Sequence, residues 1–145
     1  MNRYVLAFMF SPDLRQVALI RKLKPEWQAG KLNGIGGKIE ADESHYDACV
    51  REFREEAGLH TSKDSWNRFL ELGGRGHGEL FTVDCFCGKG DLNQLVSVEK
   101  ERVEITSVPD VATERWAMVE NLPWIVTLAI DFMRDGRPRF TTVLY

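Results

Sequence analysis

The chain has 145 residues, enough for one core with little room for a second, so a single domain over residues 1–145 is expected. Hydrophobic residues make up 43% and charged residues 28%, the balance of an ordinary soluble globular protein. A formal net charge of -3 argues against a partner gripped by a broad basic surface, so no nucleic-acid polymer is expected; small anionic substrates stay open if a metal screens the acid.

Arg3 precedes an apolar run from Tyr4 to Phe10. A basic residue before such a run also opens a signal peptide, but this one stops at Ser11, Pro12 and Asp13 without a small-residue cleavage site, and a first strand over residues 3–10 is expected. Residues 16–22 form a second apolar run beyond that turn, the pattern of a strand pair. Residues 23–32 lack a clear period and carry Pro25 and Gly30, so they read as a loop. Gly34, Ile35, Gly36, Gly37 and Lys38 follow as a glycine-rich turn. Ser44 and Asp47 then supply a capping box that opens a helix over residues 44–57. Tyr46, Cys49, Val50 and Phe53 share one face of it, Glu52, Glu55 and Glu56 an adjacent one, and Gly58 stops it.

Residues 67–72 and 80–87 read as strands around a turn at 73–78, and 89–94 as a turn-rich connection. Residues 102–108 alternate apolar and polar side chains, as a strand does. Residues 122–134 carry helical periodicity that ends at Asp135-Gly136, and the tail 140–145 adds a last strand. Cys49, Cys85 and Cys87 are an odd set, read as reduced and packed in the core, since no histidine stands near Cys85 and Cys87 to complete a zinc site. His45, His60 and His77 have no partners legible in sequence and read as surface residues. No apolar stretch approaches the roughly 20 residues of a membrane helix, so no membrane partner and a cytoplasmic location are expected.

The chemistry concentrates in the first helix. Residues three and four apart are neighbours on a helix, so Glu52 faces Glu55 and Glu56. Like charges at that spacing cost roughly 0.2–0.5 kcal/mol per pair, a cost that a divalent cation reverses. A solvated acidic face, supported by Arg51 and Arg54, is the plain alternative. A P-loop reading of the glycine segment fails, because Lys38 is followed by Ile39 and not by a Ser or Thr for magnesium.

Gly37, Glu43, Arg51, Glu52, Phe53, Glu55, Glu56, Gly58 and Leu59 spell G-x5-E-x7-R-E-F-x-E-E-x-G-L, and with every fixed position of the Nudix box filled the chain resembles a Nudix hydrolase. The resemblance implies an α/β fold, the Nudix α/β/α sandwich around a mixed sheet. It implies hydrolysis of a phosphoanhydride in a nucleoside diphosphate derivative with Mg²⁺, for which Mn²⁺ can substitute. By position, Glu55 and Glu56 match the main metal ligands and the Gly36 carbonyl a further one. Glu52 matches the position that serves as general base or metal ligand, and Arg51 orients these carboxylates by charge-assisted hydrogen bonds. Lys38 reaches phosphate or is a plain surface lysine. The additional acidic ligand from a later loop is assigned to Glu101, with Glu99 and Glu104 as its rivals. Binding modules of the family typically lose box carboxylates, and all three are present here.

Residues 27–38 resemble MutT-type enzymes that act on oxidised purine nucleoside triphosphates such as 8-oxo-dGTP. Asn33 there reads the base, or else simply forms a turn before Gly34. Trp27 stacks on the base, or serves as a core or lid tryptophan. Where those relatives have two aspartates before the last helix, this chain has Glu120 and Asn121, and an asparagine does not replace a carboxylate as a pure acceptor. No proline lies between Pro25 and Pro109, against the ADP-ribose hydrolase pattern, and no tyrosine between Tyr46 and Tyr145, against the dinucleoside polyphosphate one. A nucleoside triphosphate pyrophosphatase releasing monophosphate and pyrophosphate is the expected activity, with a small nucleotide as partner and a monomer or homodimer as assembly.

Overall fold

β1 (Asn2–Phe10) is apolar from Tyr4 to Phe10 because both of its faces are covered. Val5, Ala7 and Met9 point to one side and Leu6, Phe8 and Phe10 to the other, the period of two that a strand imposes. The computed structural model describes residues 1–135 and 141–145, and in it β1 belongs to an eight-stranded mixed sheet.

On one edge β1 runs parallel to β6 (Glu79–Lys89), from Asn2 beside Phe81 to Phe10 beside Lys89. Its other edge is shared by β4 (Ile35–Lys38), antiparallel from Tyr4 beside Lys38 to Ala7 beside Ile35, and by β2 (Gln16–Arg21), which joins at Phe10 and Val17. β2 also pairs with β7 (Arg102–Ser107) and, at its far end, with β3 (Leu32–Asn33). β5 (Asn67–Gly76) is antiparallel to β6 and carries β8 (Thr141–Leu144) parallel on its outer edge.

α1 (His45–Ala57) covers one face of the sheet, packing Ala48, Cys49, Phe53 and Ala57 against Val5, Ala7, Ile35 and Phe86. α2 (Val108–Thr113) and α3 (Leu122–Asp135) cover the other, where Val111, Leu122, Ile125 and Ala129 meet Phe8, Phe10, Leu70 and Cys85. This is the expected α/β/α sandwich. Each fully buried large apolar side chain in these two layers stabilises the fold by about 1.5–3 kcal/mol. Phe53 adds an edge-on contact with Trp66, ring centres 5.0 Å apart.

Several elements depart from the sequence reading. Residues 35–38 are a strand and not a turn, because the glycines serve close packing: a Cβ on Gly36 would lie 1.9 Å from the Val5 carbonyl oxygen. The hairpin between β5 and β6 is longer than expected, with Gly73, Gly74 and Gly76 inside the strand; the chain reverses at His77 and Gly78, both with positive φ, as a two-residue hairpin turn demands. α2 begins where a strand was expected to end, since Ser107 caps it and Pro109 is tolerated in a first turn. Of the helix stop and the tail, Gly136 and Phe140 lie outside the described residues. His45 is half-buried against Tyr46 and Phe86, contrary to its surface reading, while His60 and His77 are exposed. Cys49, Cys85 and Cys87 are buried free thiols, with burial pushing Cys87 up to about 12. No helix among the described residues is long and apolar enough to cross a membrane.

Candidate active site

α1 starts and stops by local chemistry. The Ser44 hydroxyl oxygen accepts the Asp47 N–H at 3.0 Å, and Gly58, at φ 73°, closes the helix with its N–H on the Arg54 carbonyl. Packing Ala48, Cys49 and Phe53 against the sheet rotates Glu56 inward as well, to 6% exposure. Its carboxylate accepts the Gly36 N–H at 3.0 Å. In a strand the N–H and C=O of one residue lie on the same edge, so the Gly36 carbonyl shares that edge with Glu56.

Arg51 is the hub. Its Nε and Nη2 donate to the two Glu43 oxygens at 2.7 and 2.9 Å, Nη1 donates to Glu52 at 2.8 Å and to Glu55 at 3.2 Å, and Nη2 also donates to the Lys38 carbonyl at 3.0 Å. One guanidinium therefore ties the far end of β4 to three glutamates, as the planar fork of arginine allows. Glu43 is held below the ordinary carboxylate range, first by its bond from Arg51. Glu52 is pushed up by burial, which outweighs the Arg51 bond. Glu56 is pushed up to about 8, by burial first and by the charge of Glu52 second, with Lys22 and the Gly36 N–H opposing and Glu99 adding to the rise. Gly37 leaves room for this arrangement, since a Cβ there would stand 2.5 Å from a Glu52 carboxylate oxygen.

The remaining predicted residues divide into those near this cluster and those engaged elsewhere. Glu99 acts electrostatically on both Glu52 and Glu56. Glu101, the expected loop ligand, is instead bonded by Lys22 Nζ at 2.9 Å and by the Leu23 N–H at 2.6 Å, and Glu104 is paired with Arg21. Lys38 exposes its side chain and lends its carbonyl to Arg51. Asn33 is buried at 8% exposure; its Oδ1 accepts the Gly34 N–H at 2.8 Å and its Nδ2 donates to Gln28 at 3.2 Å. Asn33 ends β3 and forms no turn: its side chain braces the link to Gly34 and lies beside Gln28. Trp27 is 63% exposed, which removes the core alternative. The segment before α3 runs beside β3 through the Val119 N–H on the Leu32 carbonyl, bringing Glu120 and Asn121 toward the Asn33 end, where Glu120 is exposed and Asn121 bonds the Tyr145 hydroxyl at 3.3 Å.

Sequence reasoning missed Lys22 and Gln28, and it named Glu99 only as a rival of Glu101. A separate hollow of about 480 Å³, lined by Ser44, Tyr46, Lys63, Asp64, Trp66 and Asn67, contains none of the box glutamates.

A NUDIX domain family model matches residues 2–127. The chain belongs to the Nudix family. Solved structures of MutT and Nudix proteins share its fold. A mutator MutT protein from Bacillus halodurans superposes with a TM-score of 0.71 at 21% identity, over 100% of this chain and 90% of that one. The Nudix domain of Shewanella oneidensis NrtR, crystallised with ADP ribose, gives 0.71 at 18% identity over 90% and 87%. The same organism's NrtR bound to a 27mer DNA gives 0.73 at 15% identity over 92% and 62%. At these identities the likeness speaks for the fold.

For this Nudix domain, the donor chemistry suits a hard divalent cation: the glutamates and the Gly36 carbonyl all offer oxygen, and a buried carboxyl raised to about 8 gains most from a nearby positive charge. Among the described residues no three acidic, histidine or cysteine side chains already surround one point. Glu52 and Glu55 are turned to Arg51, so taking up an ion means exchanging part of that guanidinium for it.

Proposed function

We propose that this Nudix domain hydrolyses a phosphoanhydride of a nucleoside triphosphate, releasing nucleoside monophosphate and pyrophosphate, with Mg²⁺ or Mn²⁺ as cofactor. The observation that carries the reading is Glu56, a buried carboxyl on the Gly36 N–H beside Glu52, with Arg51 gathering Glu52 and Glu55 next to it. A structural carboxylate this buried would be expected to have a cation paired with it directly, and among the described residues the donor to Glu56 is the Gly36 N–H, with Lys22 acting on it through its charge. Glu52, Glu55, Glu56 and the Gly36 carbonyl are the proposed ligands, with Glu99 the loop acid that joins them. A divalent cation held there supplies charge screening between the glutamates and the polyphosphate and polarises a phosphoryl oxygen. Arg51 keeps the carboxylates aimed, Glu52 holds or accepts the proton of the attacking water, and Lys38 remains free to meet phosphate.

The base side is proposed to run along Asn33, Trp27, Glu120 and Asn121. Asn33 presents an amide that is both donor and acceptor, Trp27 an exposed aromatic face, and Glu120 an exposed acceptor. A second reading, cleavage of ADP-ribose or a related nucleoside diphosphate derivative, draws support from the ADP-ribose-bound neighbour of the same fold. A small nucleotide is the proposed partner under either reading.

The test is a screen of ordinary, oxidised and methylated nucleoside triphosphates beside ADP-ribose and dinucleoside polyphosphates, with Mg²⁺ or Mn²⁺. Pyrophosphate release from a triphosphate is the expected outcome. Turnover of ADP-ribose alone would move the assignment to the second reading, and binding without turnover of any member would leave a nucleotide sensor.

A further inference from the structure

The loop between β2 and β3, which bears Trp27 and Gln28, is gripped from outside its own sequence. At its base the Lys22 N–H donates to the Lys31 carbonyl and the Gly30 N–H to the Lys22 carbonyl, both at 2.8 Å. The next two amides, of Leu23 and Lys24, turn instead to one carboxylate oxygen of Glu101, at 2.6 and 3.5 Å, while Lys22 Nζ donates to the other at 2.9 Å. Both side chains are largely covered, Lys22 at 18% and Glu101 at 14% exposure. Arg21 repeats the grip one residue earlier, donating to the Gly30 carbonyl at 2.9 Å and to Glu104 on β7. From the far side of the loop, Gln28 receives the Asn33 amide at 3.2 Å. The seat of the loop, together with the Gly34 N–H on Asn33 Oδ1, therefore sets which way Asn33 turns its donor and acceptor.

We propose that Glu101 is a positioning residue: a carboxylate clip that fixes the 22–31 loop to the start of β7 and thereby orients Gln28 and Asn33. Both of its oxygens are committed to donors of that loop. The consequence for catalysis rests on the proposed triphosphate hydrolysis, but the clip itself does not. Losing the charged acceptor shared by three donors of the loop loosens it, and substrate placement suffers before the chemical step does.

Glu101→Gln, Glu99→Gln and Lys22→Gln in the full chain test it with three readouts: amide hydrogen exchange, Mn²⁺ binding followed by electron paramagnetic resonance without nucleotide, and steady-state kinetics. For E101Q the expectation is exchange over residues 22–31 faster by about tenfold and Mn²⁺ affinity unchanged, with KM for the triphosphate raised about fivefold at nearly constant kcat. E99Q is expected to do the reverse, weakening Mn²⁺ by about tenfold with exchange over 22–31 unaltered. K22Q removes the clip's cation while leaving the Glu101 carboxylate in the chain and is expected to speed exchange as E101Q does. Loss of Mn²⁺ affinity in E101Q comparable with that in E99Q, or unaltered exchange over 22–31 in E101Q or K22Q, overturns the proposal. Metal binding and exchange are read without turnover, so failure to find a hydrolysable nucleotide would sink the hydrolase reading and leave this test standing.

Discussion

Glu56 sits where a charge is least welcome, and that makes it a pH sensor of the metal-free protein. Its folded-state carboxyl titrates at about 8 against an ordinary value of 4.5, so between those limits the folded protein holds a proton that the unfolded chain has released. Stability without metal is therefore expected to fall as pH rises through that window and to level off above it. Thermal melting in a chelator checks this, and Glu56→Gln, which keeps an acceptor for the Gly36 N–H, is expected to lose this part of the pH dependence along with metal-dependent turnover. Unchanged turnover in E56Q would remove Glu56 from the proposed ligands. Arg51 makes a second residue-level test, because its five bonds to Glu43, Glu52, Glu55 and the Lys38 carbonyl need a planar fork. Arg51→Lys keeps the charge and loses the fork, so kcat/KM is expected to drop by about 100-fold and stability by about 2 kcal/mol in urea unfolding.

At the scale of the element, β4 explains why two neighbouring glycines are needed for different reasons. A methyl on Gly36 would strike the Val5 backbone, which cannot move without breaking the β1 pairing, whereas one on Gly37 would strike first the end of the Glu52 side chain. Gly36→Ala is expected to destabilise the fold by about 3 kcal/mol or more. Gly37→Ala is expected to fold with a loss below about 1 kcal/mol but to displace Glu52, lowering activity strongly. Equal stability of the two variants in denaturant titration would contradict this division. The same strand shows why the glycine run reads as a turn from sequence: composition suggests freedom, while the reason for the glycines is the nearness of β1 and α1.

For the whole molecule, the sheet holds α1 by one apolar layer, while Glu56 on its acidic edge feels Lys22 at the start of the 22–31 loop and the segment before α3 is tied to β3. Ligands that bind only this folded arrangement stabilise it by mass action. Mg²⁺ together with a non-hydrolysable nucleoside triphosphate analogue, at about 100 times its Kd, is expected to add about 2.7 kcal/mol and raise the melting temperature by about 5–10 °C. Scanning calorimetry is the measurement, and absence of any shift with every nucleotide tried would contradict a nucleotide site.

What the sequence determined by itself is whatever depends on near neighbours. The limits of α1 follow from Ser44, Asp47 and Gly58, the grouping of Glu52, Glu55 and Glu56 from helical spacing, and the burial of β1 from an unbroken apolar run. The family box is legible for the same reason, since its residues lie on one short strand, one helix and the link between them. Tertiary structure decided the partners. Glu101 meets Lys22 across 79 positions, Glu56 meets Gly36 across 20, and the strand character of residues 35–38 comes from a register with β1 some thirty residues earlier. The strand position of Asn33, where a turn was one of two readings, and its bond to Gln28 likewise come from the pairing of β3 with β2 and from where the loop comes to rest. Periodicity and capping act through the local backbone, but which carboxylate faces a metal site and which one clips a loop depends on distant segments packed together, and a single chain's pattern carries no record of that.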